Sequence, residues 1–333
     1  MVRRAGTVVR TEEIPVQKTP RFLITDFQFP DIATERRIIE NAGGDLAAFQ
    51  CKTERDVIAV AGEADALLVQ WAPITRAVIE HLPNCKVIVR YGIGLDNIDL
   101  DAARARCVTV RNIPDYCIEE VADHSFSLAL ALARQLTQID RQVREGKWSI
   151  VPPRPMPAFC QSTFVTIGYG RIARAVLHRA RACGFQLAAC DPYLSPDFEF
   201  PADVTRVNFE EALRIADILS LNVPLTSETR HMLGPATLAQ MKPTSLLINT
   251  ARGALIDTVA LAAALDNGVI AGAGLDVFET EPLPADHPLR YCRNALLTSH
   301  VSWYSQLSGP NLQRLAAEEA VRSLRLASPA LCI

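Results

Sequence analysis

From residue 21 onward the chain alternates short apolar runs with longer stretches whose apolar positions recur every three or four residues. "RFLITDF" predicts a strand. The following "DIATERRIIENAGG" predicts a helix that stops at Gly43-Gly44, where a residue free to turn left-handed commonly ends one. "ADALLVQW", "CKVIVRYGIG" and "CVTVRNI" predict further strands, with "PITRAVIEHL" as a helix among them. Strands this apolar, alternating with helices, imply a parallel sheet covered on both faces. The rhythm breaks at residues 118–146, read as one long helix with more apolar surface than a connector needs, and at the stiff "PPRPMP" of 152–157. A second series begins at "STFVTIGYGRIARAVLHRARACGFQLAACDPY" and runs through "ADILSLNV", "SLLINT", "AGAGLDVF" and "NALLTSH" to a final helix near 311–326.

Two α/β domains, each a doubly wound parallel sheet, account for this pattern, and 333 residues exceed what one core usually holds. The formal charge of −3 leaves no footprint for nucleic acid or an anionic membrane surface, and no apolar run is long enough to span a bilayer. Nine scattered cysteines without a C-x-x-C pair indicate neither a zinc cage nor a disulfide framework, so reduced thiols in a cytoplasmic protein, with no metal, are expected. Residues 1–20 carry charge but no apolar signal-peptide core and read as a flexible extension.

"VTIGYGRIARAV" is strand, tight turn and helix, with Gly168, Gly170 and Ala173 in a G-x-G-x-x-A pattern. The first glycine allows the turn and the second lets a pyrophosphate approach the free N–H groups at the helix start, the stretch Gly168-Tyr169-Gly170-Arg171-Ile172. Asp191 closes the next strand, 191 − 170 = 21 residues past the second glycine, where a carboxylate accepts from the adenosine ribose hydroxyls and repels a 2′-phosphate. The assembled unit predicts NAD rather than NADP.

Three chemistry-bearing groups follow the carboxyl ends of later strands: Arg252 in "NTARGALID", the acids Asp276, Glu279 and Glu281 in "LDVFETEPLP", and His300 in "SHVSW". Ligands bind at that edge of a doubly wound sheet. With "VRYGIGLDNIDLDAA", "NIPDYCIEEVADHSFSLALALAR", "IGYGRIARAV" and "NVPLTSETRHML", these stretches resemble the D-isomer-specific 2-hydroxyacid dehydrogenases over nearly all of residues 21–326. Trp303-Tyr304-Ser305 resembles the C-terminal binding protein branch, which includes corepressors that kept the dehydrogenase fold. "RYGIGLDNID" equally resembles phosphoglycerate dehydrogenases.

The resemblance implies a reversible hydride transfer between NADH and a 2-oxo acid. Arg252 would bind the substrate carboxylate and carbonyl, His300 would be the acid/base and Glu281 would orient it, roles that a guanidinium fork, an imidazole and a carboxylate suit. It also implies a substrate-carboxylate cradle at Tyr91-Gly92-Ile93. Cofactor contacts follow from Asn222, Val223 and Pro224, from Thr250, Ala251 and Arg252, and from Asp276 at the nicotinamide amide. Trp71, Tyr91 and Trp303 either form an aromatic wall around the substrate's variable group, which would favour an apolar or extended tail over glyoxylate, or pack the domain interface; no convincing extra basic cluster for a phosphate is present. Residues 21–112 plus 300–333 would form the substrate domain and 113–299 the NAD-binding domain, with closure on substrate and a homodimer built on the 118–146 helix. An NAD-sensing interaction protein is the alternative.

Overall fold

The computed structural model describes residues 19–327, so all but the last two residues of the expected N-terminal extension lie outside it. The chain divides into two compact units: the stretch up to Ile113 together with the stretch from Gln313 on, and Pro114–Leu312.

The first unit contains β1 (Arg21–Ile24), α1 (Ala33–Asn41), β2 (Asp45–Ala48), α2 (Glu54–Ala61), β3 (Ala66–Val69), α3 (Arg76–Glu80), β4 (Val87–Arg90), α4 (Leu100–Ala105) and β5 (Thr109–Arg111). Its strands are all parallel, in the order β2-β1-β3-β4-β5. Every position of β3 and β4 is buried, which explains why these runs are apolar rather than alternating. Thr53, Thr75 and Asp99 start α2, α3 and α4 by accepting backbone N–H groups of the first turn. The strand order reverses between β1 and β3. There the Asp26 carboxylate accepts from the amides of Gln70 (3.1 Å) and Trp71 (2.6 Å), fixing the loop after β3.

The second unit contains α5 (Ile118–Ala133), α6 (Leu136–Arg144), β6 (Thr163–Ile167), α7 (Arg171–Ala182), β7 (Gln186–Cys190), β8 (Val204–Arg206), α8 (Phe209–Ile215), β9 (Ile218–Leu221), α9 (Pro235–Leu238), β10 (Leu246–Asn249), α10 (Thr258–Asp266), β11 (Gly272–Leu275) and β12 (Ala295–Leu297). α11 (Ser308–Ala327) begins in it. The sheet is parallel throughout, in the order β12-β11-β10-β9-β6-β7-β8. Successive residues of one strand feed opposite cores: Val165, Leu219 and Leu247 pack on one face, Phe164, Ile218 and Leu246 on the other. The order reverses between β6 and β9, which opens a crevice at their carboxyl ends.

Three details differ from the sequence reading. β2 and β8 were not anticipated; both are short edge strands with exposed positions, so their apolar signal is weak. The 118–146 helix is two helices, broken at Gln135, which adopts a left-handed φ of 51° while its side chain bonds the backbone N–H and C=O of Arg154. The chain leaves the second unit at Leu312, inside α11, rather than near residue 300, because residues 298–302 are tied to the segment after β11.

Candidate active site

The turn after β6 puts Gly168 at φ 94° against the end of β9, where a Cβ would stand 2.5 Å from the Asn222 carbonyl oxygen. Only glycine fits this close approach. Gly170 precedes the 12-residue α7, and a Cβ there would meet nothing within 4 Å, so the space above the helix N-terminus is open to a phosphate. Asp191 accepts from the amides of Tyr169 (2.9 Å) and Tyr193 (3.1 Å), one on each oxygen, which fixes the carboxylate and leaves lone pairs for ribose hydroxyls. Asn222 Oδ1 is buried without a hydrogen-bond partner among the described residues, an acceptor at the same crevice. These features fit a dinucleotide. The Tyr169 ring is packed against Phe198 and Phe200, so this residue contributes through its backbone. Arg171 pairs with Asp115 and Ile172 lines the core, while Pro224 lies exposed after β9.

At the carboxyl end of β10 the fully buried Asn249 closes a tight turn. Its amide group donates to the Arg252 carbonyl (2.8 Å) and its oxygen accepts the Ala251 amide (3.0 Å). Arg252 then starts the short 3-10 turn Gly253–Leu255 and donates to the Ala251 carbonyl (2.7 Å). Thr250 Oγ1 meets Ser125 Oγ of α5 at 2.5 Å.

The three acids after β11 have separate fates. Asp276 is fully buried; its oxygens accept from Thr298 Oγ1 (2.6 Å) and from the amides of Val301 (3.1 Å) and Ser302 (2.9 Å), and its carbonyl accepts the His300 amide (2.7 Å). Asp276, the expected nicotinamide contact, also holds the His300 turn. Burial opposes the charge of Glu279, but bonds from the hydroxyl and amide of Thr258 and from His231 outweigh it and hold the carboxyl below its ordinary range. Glu281 is the acid left for His300: its Oε1 accepts the Phe278 amide (2.9 Å) and its Oε2 lies 2.7 Å from His300 Nδ1. His300 stands at φ 56°, a left-handed conformation that costs a β-carbon residue about 1–2 kcal/mol and persists only where the surroundings enforce it. The three amides gripped by Asp276 are that enforcement. Trp303 packs beside Tyr116 and Tyr304, at centroid distances of 6.2 and 5.7 Å.

In the first unit the loop after β4 departs from expectation. Tyr91 is buried, its amide donates to Val69 O (2.8 Å) and its phenol to Glu35 (3.0 Å), so both of its donors are engaged inside the first unit. Gly92 has φ 130°, and a Cβ there would collide with the Arg90 guanidinium. Arg90, largely buried, in turn lies over the Trp71 ring, 5.3 Å from its centroid. Arg90 went unnoticed in "VRYGIG" because a strand-end arginine looks like a solvated one; the adjoining glycine was the available signal. Asn249 and Thr298 were missed for the same reason, being short polar residues at strand ends. Among the described residues no group of three or more His, Cys, Asp or Glu could hold a metal ion. No described helix is long and apolar enough to cross a membrane.

The sequence profile of the D-isomer specific 2-hydroxyacid dehydrogenase NAD binding domain matches residues 126–302, inside the second unit. The chain is 40% identical over 252 residues to a glyoxylate reductase of Korarchaeum cryptofilum, covering 75% of this chain and 76% of that protein. It is 37% identical over 276 residues to a D-3-phosphoglycerate dehydrogenase of Mycobacterium tuberculosis, covering 82% of this chain and spanning 51%, about half, of that longer protein. Its fold is similar to a D-lactate dehydrogenase of Aquifex aeolicus solved with NAD and lactic acid, with a TM-score of 0.82, 27% identity, and coverage of 93% and 98%.

Proposed function

The chain belongs to the D-isomer specific 2-hydroxyacid dehydrogenase family and is an NAD-dependent oxidoreductase acting on CH–OH groups, and from that premise we propose that His300 is its acid/base, Glu281 its orienting carboxylate and Arg252 its substrate anchor. The observation that carries the reading is the His300–Glu281 pair, 2.7 Å apart, with the carboxylate held from behind by the Phe278 amide. A bound nicotinamide supplies the hydride. His300 gives its Nε2 proton to the carbonyl oxygen as C2 is reduced, and takes it back in the reverse direction. With Nδ1 on Glu281, the ring keeps Nε2 for substrate, and the carboxylate stabilises the charged imidazole that proton transfer requires. Arg252 supplies a fork for the substrate carboxylate and polarises the carbonyl. Gly168, Gly170, Asp191, Asn222 and Thr250 are assigned to NAD.

The substrate class we assign is a short 2-oxo acid with a polar or anionic substituent. The relatives named for glyoxylate and phosphoglycerate chemistry support this assignment over the apolar or extended tail that an aromatic wall would favour. A homodimer is part of the same reading: α6 buries no residue in the single chain, and Leu136, Val143, Trp148, Ile150 and Val151 are exposed around it. So is a reducing, cytoplasmic setting, in keeping with cysteines scattered along the chain without a C-x-x-C pair. The test is His300→Gln, which is expected to lower kcat by at least about a hundredfold while NADH still binds; unchanged turnover removes His300 from the mechanism.

A further inference from the structure

α5 carries a polar stripe that the proposed chemistry does not use. Glu120 Oε1 accepts from the Ser305 hydroxyl (2.7 Å), His124 Nε2 lies 2.9 Å from Thr298 Oγ1, and Ser125 Oγ lies 2.5 Å from Thr250 Oγ1. Thr298 and Ser305 bracket His300, and Thr250 stands two residues before Arg252. One helix therefore touches both loops that carry the assigned groups. The helix is a firm support: Ala122, Phe126, Leu128, Ala129 and Leu132 bury its other positions in the second unit's core.

Of these contacts, the one at His124 leads furthest. The Thr298 hydroxyl has a single proton and donates it to Asp276 Oδ1 at 2.6 Å, so it can only accept from His124, which must carry its proton on Nε2. The chain of donors runs one way, from His124 to Thr298 to Asp276, and ends on the carboxylate that also grips the amides of Val301 and Ser302. His124 Nε2 is itself 3.6 Å from the same carboxylate oxygen. Asp276 is fully buried, so each donor to it contributes to satisfying a charge without water.

We infer that His124 is a positioning residue for the acid/base. By donating to Thr298 it orients the hydroxyl that fixes Asp276, and through the Val301 and Ser302 amides it sets the left-handed turn on which His300 stands. The inference rests on the assignment of His300 above. His124→Ala removes the donor, His124→Gln keeps an N–H at similar reach, and Thr298→Val breaks the chain one step nearer Asp276.

The experiment combines steady-state kinetics with amide hydrogen exchange over residues 298–305. His124→Ala and Thr298→Val are expected to lower kcat about ten- to a hundredfold with KM for the 2-oxo acid changed far less, and to speed exchange of the Val301 and Ser302 amides. His124→Gln is expected to restore both readouts. A merely space-filling role predicts no such rescue. Unchanged exchange in His124→Ala and Thr298→Val, unchanged kcat despite faster exchange, or a Gln variant as impaired as the Ala variant each overturns the inference. Because exchange needs no turnover, it tests the clamp separately: fast exchange in His124→Ala together with full activity in His300→Gln would locate the error in the His300 assignment.

Discussion

Gly253→Ala removes no reacting group, yet it should disable the enzyme. Gly253 is buried directly after Arg252, and a Cβ there would lie 1.9 Å from the Phe278 carbonyl carbon, 2.1 Å from its oxygen and 2.4 Å from its Cα. All three are backbone atoms, so no side chain can swing away. Reaching even 3.0 Å requires the two segments to part by 3.0 − 1.9, about 1.1 Å. One of them carries Arg252 and the other carries the Phe278 amide that anchors Glu281. A displacement near 1 Å in a catalytic constellation costs about a hundredfold in rate. Overpacking of this kind costs about 1–3 kcal/mol, a fall of several degrees in Tm for a domain of this size. The assay is NADH oxidation with a 2-oxo acid, beside a melting curve and NADH binding. The expected outcome is kcat/KM down about a hundredfold in a folded protein that still binds NADH. Gly62→Ala is the control, since a Cβ there meets nothing within 4 Å at a helical φ of −58°. A folded Gly253→Ala enzyme within about twofold of wild-type kcat/KM would refute the claim that this contact registers the two loops.

Asp191→Ala should narrow the preference for NADH over NADPH, read as the ratio of kcat/KM values, because it removes the carboxylate that repels a 2′-phosphate; an unaltered ratio contradicts its placement at the ribose. Glu35 tests the first unit. Burial raises its carboxyl above the ordinary 4.5, with the Gln313 and Tyr91 hydrogen bonds opposing that rise. A raised carboxyl holds its proton in the folded state when the unfolded chain has released it, so this group costs stability as pH climbs from 4.5 through the folded value. Glu35→Gln should therefore gain stability relative to wild type between about pH 4.5 and pH 7 in chemical denaturation, and a pH-independent difference would show that the buried carboxyl is not the cause.

Most of the fold was legible because its strands are buried on both faces and therefore read as apolar runs, while β2 and β8, at the sheet edges, do not. The glycine loop and Asp191 were legible because backbone geometry restricts which residues can stand there. Arg252, Glu281 and His300 were visible as strand-end charges made specific by a family resemblance. The supporting groups were not. Asn249, Thr298 and His124 act through side-chain hydrogen bonds between residues 2 to 174 positions apart, and no periodicity records such pairings. Tyr91 misled because an aromatic beside a glycine turn looks exposed, whereas buried Glu35 draws its phenol inward. Arg90 went unread because only the fold shows it lying on Trp71.

The most direct test of the account is NADH oxidation by the full chain against glyoxylate, hydroxypyruvate, pyruvate, 2-oxoisocaproate, phenylpyruvate and 3-phosphohydroxypyruvate, run beside Arg252→Ala. The account predicts turnover that favours the short polar or anionic acids and falls by about a hundredfold or more in the variant. Turnover that survives Arg252→Ala, or none on any acid despite tight NADH binding, would contradict it, and the second result would favour an NAD-sensing binding protein.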